Sequence, residues 1–538
     1  MTVAVILLAL AMCPAAWAAD ILVVLPAPSD DHLCVSTALP RALAERGHSV
    51  TLAVPWEPRS GNNHVFREII YLGFYGDSFS SNILIDQWRT NRPWYLENAG
   101  NVVPGWAWPF LMTAVQWYVG QRAVEHALLH PEFERVVLDR PDRRFDLVMG
   151  ELVLKQEALL GLAHRFDAPF VAVQTGADDA GVAHLMGGPT HPAYVANRYL
   201  ATDGSMDILQ RAQNVIFYAF DTVGAFVFHL PTQRRLLREF SPKAPSLEEL
   251  VRSKLALTIY NHHPAFGWAS AMPPNVVHAA GLHIQAKPLP KHLQGMLDNA
   301  TAGVVVFSLG SSMETSAMPL EVQRALMTAF SEIPHKVVAR WSAGASKSVR
   351  VPRNVLVDTA WIPQADILAH PSAQLLVTAC GRTGVLEALW HGVPVLCIPR
   401  FGDQFAAMAL VQKHGVGIGI RQRTLAAFRA ALGQLLAPGS SEREAARRTS
   451  RLLRSQPVPP LDAAVRAVED VLQWRNASHL RPASADATWY QLLFVDLAVV
   501  AAVTAVLVAA PVLLVAFLCL RARHRKNLRG RSSRKKAD

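Results

Sequence analysis

The sequence predicts an α/β protein with two parallel-sheet domains in tandem and one membrane-spanning helix near its C-terminus. Three stretches carry that expectation. Residues 21–25 are an unbroken apolar run, a helix with Leu39 and Leu43 at helical spacing ends near Gly47, and residues 50–54 are a second apolar run. Strand, helix, strand in that order begins a parallel layer. Residues 361–404 repeat the pattern, with a loop, a buried strand at 375–378, a glycine turn, a helix over about 384–390, a strand at 393–398 and a polar turn ending in Asp403 and Gln404. Residues 497–520 are uncharged and apolar, interrupted only by Pro511, and are long enough to cross a bilayer.

The other elements follow from the same patterning. Further strands are expected at 147–149 and 170–173, with helices between. Residues 275–300 turn hydrophilic and proline-rich and read as an interdomain linker. The second domain opens at Val304 and continues through a strand at 337–341 to about 435, and two closing helices, divided by the prolines at 457–460, fill 440–474. The expected divisions are therefore 1–19, 20–285, 286–440, 441–491, 492–520 and 521–538. Two stretches, 101–120 (Trp106, Trp108, Phe110, Trp117) and 208–231 (Ile216, Phe217, Phe220, Phe226, Phe228), are rich in large apolar residues. Core packing is the expected fate of both, with pocket lining or membrane contact as the alternatives.

Charge and targeting place the chain. The 538 residues carry a net charge of +10, but the tail from Arg521 holds nine Lys/Arg against one Asp, leaving +2 for everything before it. A juxtamembrane cluster is not a basic patch on a folded face, so no nucleic-acid partner is expected. Basic residues directly after a span mark the cytosolic side, which makes the chain single-pass type I with its body in the lumen. Residues 1–19, with an apolar core and Ala16-Trp17-Ala18, read as a cleaved signal peptide. Asn299 and Asn476 head glycosylation sequons. Of five cysteines, Cys13 leaves with the signal and Cys519 lies in the span, so Cys34, Cys380 and Cys397 allow at most one disulfide. No metal-ligand spacing appears.

An open α/β sheet binds ligands outside the carboxyl ends of its strands. A helix start just after a strand offers unpaired N–H groups and a positive dipole end, so the 375–398 unit is a site for a phosphate or diphosphate. The residue order is more specific. Trp361, Pro363 and Gln364, then His370-Pro371, Thr378 and Gly381, Glu387-Ala388, Gly392-Val-Pro394 and Gly402-Asp403-Gln404 form a string that resembles the animal UDP-glycosyltransferases. Arg46-Gly47-His48, residues 307–311 and residues 481–490 fall in the same family order, so the resemblance spans nearly the whole mature chain.

The resemblance implies a GT-B fold, two facing Rossmann-like domains with the acceptor on the N-terminal one and the UDP-sugar on the C-terminal one. It further implies that Trp361 stacks on the uracil, Gln364 hydrogen-bonds nearby, Glu387 holds the ribose, and Asp403 with Gln404 holds the sugar. Thr378, Gly381 and Ser311 would offer donors to the diphosphate. His32, in the loop after the first strand, takes the position of the catalytic base, and Glu151 that of its carboxylate partner, where the family has Asp; Asp146 is the weaker candidate. His391 reads as a structural histidine at a helix end. No cofactor or metal is implied; the partners are a UDP-sugar as co-substrate, a small lipophilic acceptor and the membrane, with homo- or hetero-oligomers open. Lys535 and Lys536 resemble a dilysine retrieval signal, which implies the endoplasmic reticulum.

The family's Thr-His-Gly-Gly is here Thr378-Ala379-Cys380-Gly381, followed by Arg382 and Thr383, and Ala407 replaces a later Asn. Transfer of glucose or glucuronic acid, inverting, to a hydroxyl is the leading expectation, with a role in detoxification. The alternative is a catalytically impaired member that binds a hydrophobic ligand or a partner.

Overall fold

The computed structural model describes residues 18–534 except 60, 74–106, 153, 177–178, 203–204, 268–269, 286, 312–314, 343–348, 360, 401, 476 and 493. The signal segment up to residue 17, Trp106, Asn476 and the two terminal lysines thus lie outside the described residues. Two compact units result, residues 1–481 and 482–538.

The first unit contains two wholly parallel sheets. Strands β1 (Asp20–Val24), β2 (Ser49–Val54), β3 (Glu68–Tyr71), β4 (Leu147–Gly150), β5 (Phe170–Gln174), β6 (Leu255–Tyr260) and β7 (Val276–His278) lie in the order β3-β2-β1-β4-β5-β6-β7. Strands β8 (Val304–Ser308), β9 (Lys336–Arg340), β10 (Val355–Asp358), β11 (Ala373–Thr378), β12 (Val395–Cys397) and β13 (Gly417–Gly419) lie in the order β10-β9-β8-β11-β12-β13. Each order reverses beside its first strand, which is where a doubly wound sheet opens a crevice.

Both faces of each sheet are buried, so the strands are continuous apolar runs. In β1, Leu22 and Val24 enter one core while Ile21 and Val23 enter the other, the period-2 alternation of a strand. The second sheet divides its strands between two further cores in the same way. The stretch expected as a linker holds more structure than its prolines indicated. β7 completes the first sheet, and a helix, Lys291–Asp298, packs Leu293 and Leu297 into the second domain's core before β8 begins. Pro288 and Pro290 flank only the helix start.

The closing helices divide their loyalties. Helix Ser441–Arg454 buries Ala445, Ala446 and Leu453 in the second domain, whereas helix Pro460–Trp474 buries Ala464, Val465, Val468 and Leu472 in the first. Arg46 reaches this last helix at Asp462 (3.1 Å) and Glu469 (3.2 Å). The Arg46-Gly47-His48 string therefore clamps the returning chain.

Cys380 and Cys397 form a disulfide, and Cys34 and Cys519 are in none among the described residues. Residues 208–229 overturn the expectation of core packing: only one side of this stretch is buried, and Phe226 and Phe228 stand 63% and 69% exposed. The second unit is dominated by the helix Val495–Arg534, whose segment Val495–His524 contains an 18-residue window of mean hydropathy 2.8 and fits a membrane anchor.

Candidate active site

β1, β4 and β5 are neighbours, so the residues just past their carboxyl ends converge. Helix α1 (Asp30–Ser36) follows β1 and carries His32; Glu151 immediately follows β4; Thr175 immediately follows β5. His32 Nδ1 lies 2.9 Å from Glu151 Oε1, with the imidazole 26% exposed and the carboxylate fully buried. Thr175 Oγ1 donates to the same Glu151 oxygen and lies 3.2 Å from His32 Nδ1. Asp146 sits at the other end of β4, where its Oδ2 accepts from the Asp20 amide at 3.0 Å. The geometry separates it from His32 and leaves Glu151 as the partner.

Electrostatics follow from that contact. Burial pushes the His32 pKa down, but the Glu151 charge and hydrogen bond, with Asp31 adding to them, outweigh it and the net shift is upward. Arg198 opposes the rise from a cavity of about 80 Å³ that Thr113, Gln116, His184, Tyr218 and Asp221 also line. Because Nδ1 faces the carboxylate, its proton is held there and Nε2 is left as the basic nitrogen.

The second domain faces α1. Asp31 and Ser311 bond reciprocally, Ser311 N–H to Asp31 Oδ2 and Asp31 N–H to Ser311 Oγ, each at 3.3 Å. Burial raises the Asp31 pKa against these bonds, and the Glu387 charge adds to the rise. Ser311 therefore ties the two halves together beside His32, a role that its sequence position did not reveal.

Thr378 ends β11, and helix α2 (Arg382–Trp390) starts after the N-cap Gly381. A Cβ added at Gly381 would meet nothing within 4 Å, so the helix start opens onto free space. Cys380 holds φ +69°, a backbone state that favours glycine, and its disulfide fastens this turn to the last residue of β12. Losing the bridge in Cys380→Ser/Cys397→Ser is expected to lower stability by about 3 kcal/mol, from the entropy of a loop of this length. Chemical denaturation under non-reducing conditions measures it.

Gln364 Nε2 donates to Glu387 Oε2 at 2.6 Å, and His283 Nε2 stands 3.3 Å from Glu387 Oε1. A Cβ on Gly384 would come within 3.1 Å of that Gln364 nitrogen, so the glycine gives Gln364 its path. Trp361 has the Arg59 guanidinium 5.7 Å from its ring centre; Arg59 is held by Asp30 at 3.2 Å, and Asp30 also accepts from Trp56 Nε1 at 2.7 Å. A base stacking on that face of Trp361 displaces Arg59.

Gln404 accepts from the Arg400 amide at 2.8 Å and is buried, while Asp403 is part-exposed with Arg382 Nε 4.0 Å away. Arg382 and Thr383 line a small cavity together with Thr175, Asn261, His262 and His263, so the altered residues after Gly381 face the first domain near His32. A roomier cavity of about 290 Å³ beside Arg252, Lys254, Arg475 and Arg481 lies at the starting ends of β5 and β6 and shares no residue with this cleft.

Two remaining positions are structural or peripheral. His391 caps α2, and burial lowers its pKa to about 4. Asn299 ends a helix on the exposed surface, with its amide donating to Gly295 O at 2.6 Å. Among the described residues no cluster of His, Cys, Asp or Glu has metal-binding geometry. Sequence reasoning missed Asp31, Thr175, His283 and Arg59. Asp31 and Thr175 carry a signal, their place just past strand ends; His283 and Arg59 have none, because their partners are distant in sequence.

Comparison with known proteins gives the family and the fold. The family model described as UDP-glucoronosyl and UDP-glucosyl transferase matches residues 22–533. The UDP-glycosyltransferase UGT5 of Dactylopius coccus is 28% identical over 495 residues, covering 89% of this chain and 88% of that protein. Human UDP-glucuronosyltransferase 2B7 is 29% identical over 360 residues, 66% of each chain. The crystal structure of the calicheamicin glycosyltransferase CalG4 superposes with TM-score 0.55 at 22% identity, covering 85% of this chain and 99% of that one. The fold is GT-B, and the chain belongs to the UDP-glucuronosyl and UDP-glucosyl transferase family of hexosyltransferases.

Proposed function

We propose that the protein transfers glucose or glucuronic acid from its UDP conjugate to a hydroxyl of a small lipophilic acceptor, with inversion, using His32 as general base. The observation that carries this reading is the 2.9 Å contact between His32 and the buried Glu151. His32 Nε2 takes the acceptor proton as the oxygen attacks the anomeric carbon on the face opposite UDP. The new glycosidic bond forms as the anomeric carbon–phosphate oxygen bond breaks. Glu151 stabilises the resulting imidazolium, and the start of α2 with Arg382 stabilises the leaving diphosphate. Trp361 and Gln364 hold the base, Glu387 the ribose, and Asp403 with Gln404 the sugar. Thr378 and Gly381 supply donors to the phosphates.

The histidine is active when neutral, so the sign of its pKa shift fixes the acid limb of the rate profile. With the shift upward from 6.5, kcat/KM falls as pH drops through a value above 6.5. In Glu151→Gln the charge that raises the pKa is gone while burial still lowers it, so the limb moves to lower pH. A kcat/KM profile of both proteins between about pH 5 and 9 checks this; an unmoved limb means that His32 is not the titrating base.

Arg382 compensates for the absent imidazole at position 379. Arg382→Ala is expected to raise the donor KM about 10- to 100-fold, the cost of one hydrogen bond to a charged group. UDP release with UDP-glucose and with UDP-glucuronic acid reads it and also identifies the sugar. No release with either donor leaves the impaired-binder reading in place.

We further infer an anchored, single-pass type I protein of the endoplasmic reticulum with its body in the lumen and a cleaved signal at 1–19. The apolar helix, the basic tail and the Asn299 and Asn476 sequons support it. Glycosidase-sensitive mobility of the microsomal protein tests the topology.

A further inference from the structure

β6 lies beside β5 and ends at Tyr260, and the chain just past its carboxyl end reads Asn261-His262-His263. Asn261 fixes the turn: its side-chain amide donates to Thr175 O at 3.4 Å, and its Oδ1 accepts from the Gly281 amide at 2.8 Å. The two histidines then part. His262 is buried against Tyr260, with ring centres 5.0 Å apart, and a Cβ on Gly267 would overlap its Nε2, so that ring is packed in place. His263 is half-buried and caps the short turn Pro264–Phe266, its Nδ1 accepting from the Ala265 amide at 3.0 Å. Burial and the neighbouring His278 lower its pKa from 6.5, so the ring is uncharged near neutral pH. With Nδ1 used as an acceptor, a neutral imidazole carries its proton on Nε2. Among the described residues that N–H has no hydrogen-bond partner.

His263 shares a cavity of about 20 Å³ with Thr175, Arg382 and Thr383. Such a space admits one atom the size of a water. Arg382 and Thr383 open α2, so one wall is a helix start with unpaired N–H groups and a positive dipole end. Arg382 Nε is buried without a hydrogen-bond partner among the described residues, and its ion pair with Asp403 is long, at 4.0 Å. Phe266 and Leu386 close the rest of the wall with apolar surface. An imidazole N–H, a guanidinium and helix N–H groups thus gather around room for one atom, and all of them are donors. What fits is a single anionic oxygen.

We propose that His263 donates from Nε2 to an oxygen of the β-phosphate of the UDP-sugar. The first domain thereby supplies the imidazole absent at position 379. The proposal rests on the transferase reading above. Thr175 decides which phosphate is held: it lines the same space and bonds to Glu151 beside His32, so the oxygen there is the one nearest the reacting carbon. As the acceptor oxygen bonds to the anomeric carbon and gives its proton to His32, the bond from that carbon to the β-phosphate oxygen breaks, and its electron pair stays on the diphosphate. His263 keeps its proton throughout, and its hydrogen bond strengthens as the charge grows. The apolar wall of Phe266 and Leu386 lowers the local dielectric and strengthens it further.

The test is calorimetric titration of UMP and of UDP into the full chain. Asparagine caps as this histidine does, so His263→Asn keeps an acceptor for the Ala265 amide and loses the Nε2 donor. UDP affinity is expected to fall about ten- to hundredfold, the worth of one hydrogen bond to a charged group, while UMP, which has no β-phosphate, binds as before. His263→Gln, whose amide N–H reaches where Nε2 stands, should recover most of the UDP affinity. If His263→Asn fails to fold, His263→Ser, another capping change, takes its place. Unchanged UDP affinity overturns the proposal, and so does an equal loss for UMP and UDP, which makes the residue structural. A wild-type chain that binds no UDP removes the transferase reading itself, and the proposal with it.

Discussion

His32→Ala is expected to lower kcat by about a hundred- to ten-thousand-fold, the usual contribution of a positioned general base, while the donor KM changes little. The imidazole touches no donor-binding residue among its described contacts; its partners are Glu151 and Thr175. Glu151→Gln should lower kcat by up to about ten-thousand-fold, since the amide cannot stabilise the imidazolium and can hold the wrong tautomer. Burial sharpens the expectation. Glu151 is fully enclosed and its Oε2 has no hydrogen-bond partner among the described residues, so its hydrogen bonding there is directed at His32 and Thr175. Steady-state kinetics with saturating UDP-sugar separate the cases. A His32→Ala protein that retains wild-type kcat removes the base from the mechanism, and one that loses donor affinity moves His32 to the binding site.

Glu387→Ala should act on the other parameter. Its carboxylate collects Gln364 and faces the buried His283, and both are left without a charged partner by the truncation. Removing one member of a buried charged network costs several kcal/mol, part of it in stability. The donor KM is expected to rise about a hundredfold, and the protein to melt earlier. Glu387→Gln keeps the shape and separates the two effects: it should recover much of the stability and little of the affinity. Calorimetric titration of UDP together with thermal melts distinguishes these outcomes. Unchanged UDP affinity in Glu387→Ala assigns the residue to structure alone.

Local pattern made most of the fold legible. Fully buried parallel strands are written as apolar runs, and β1, β2, β4, β5, β9 and β11 lie within a residue or two of where those runs place them. The second domain's entrance at Val304 was equally plain. The region before it was not, because Pro288 and Pro290 outweigh the short apolar signal of β7, a three-residue edge strand. Residues 208–229 misled for a related reason: apolar content reports a preference for leaving water, and burial in a core is only one way to satisfy it. Within the candidate site, the family string and the strand ends pointed to His32, Glu151, Gln364 and Glu387, which the structure brings into contact as two pairs, His32 with Glu151 and Gln364 with Glu387. Contacts between distant segments were invisible. The Asp31–Ser311 bridge joins positions 280 apart, and nothing local marks His283 as the neighbour of Glu387 or Arg59 as the cover of Trp361.

The departures in the phosphate loop take a different meaning in three dimensions. Cys380 replaces a glycine at a left-handed backbone position, which by itself costs about 1 kcal/mol or more. Its bridge to Cys397 holds the turn in that conformation, and Arg382 opens the helix that follows. The bridge thus keeps the backbone shape, and Arg382 places a positive charge at the helix start.

Whether that rebuilt loop still holds the donor is the central question, and calorimetric titration of UDP into the purified full chain answers it without knowledge of the acceptor. The account predicts saturable binding at micromolar to submillimolar concentration, abolished by Trp361→Ala and weakened by Arg382→Ala. No heat of binding from UDP or either UDP-sugar at millimolar concentration would contradict it.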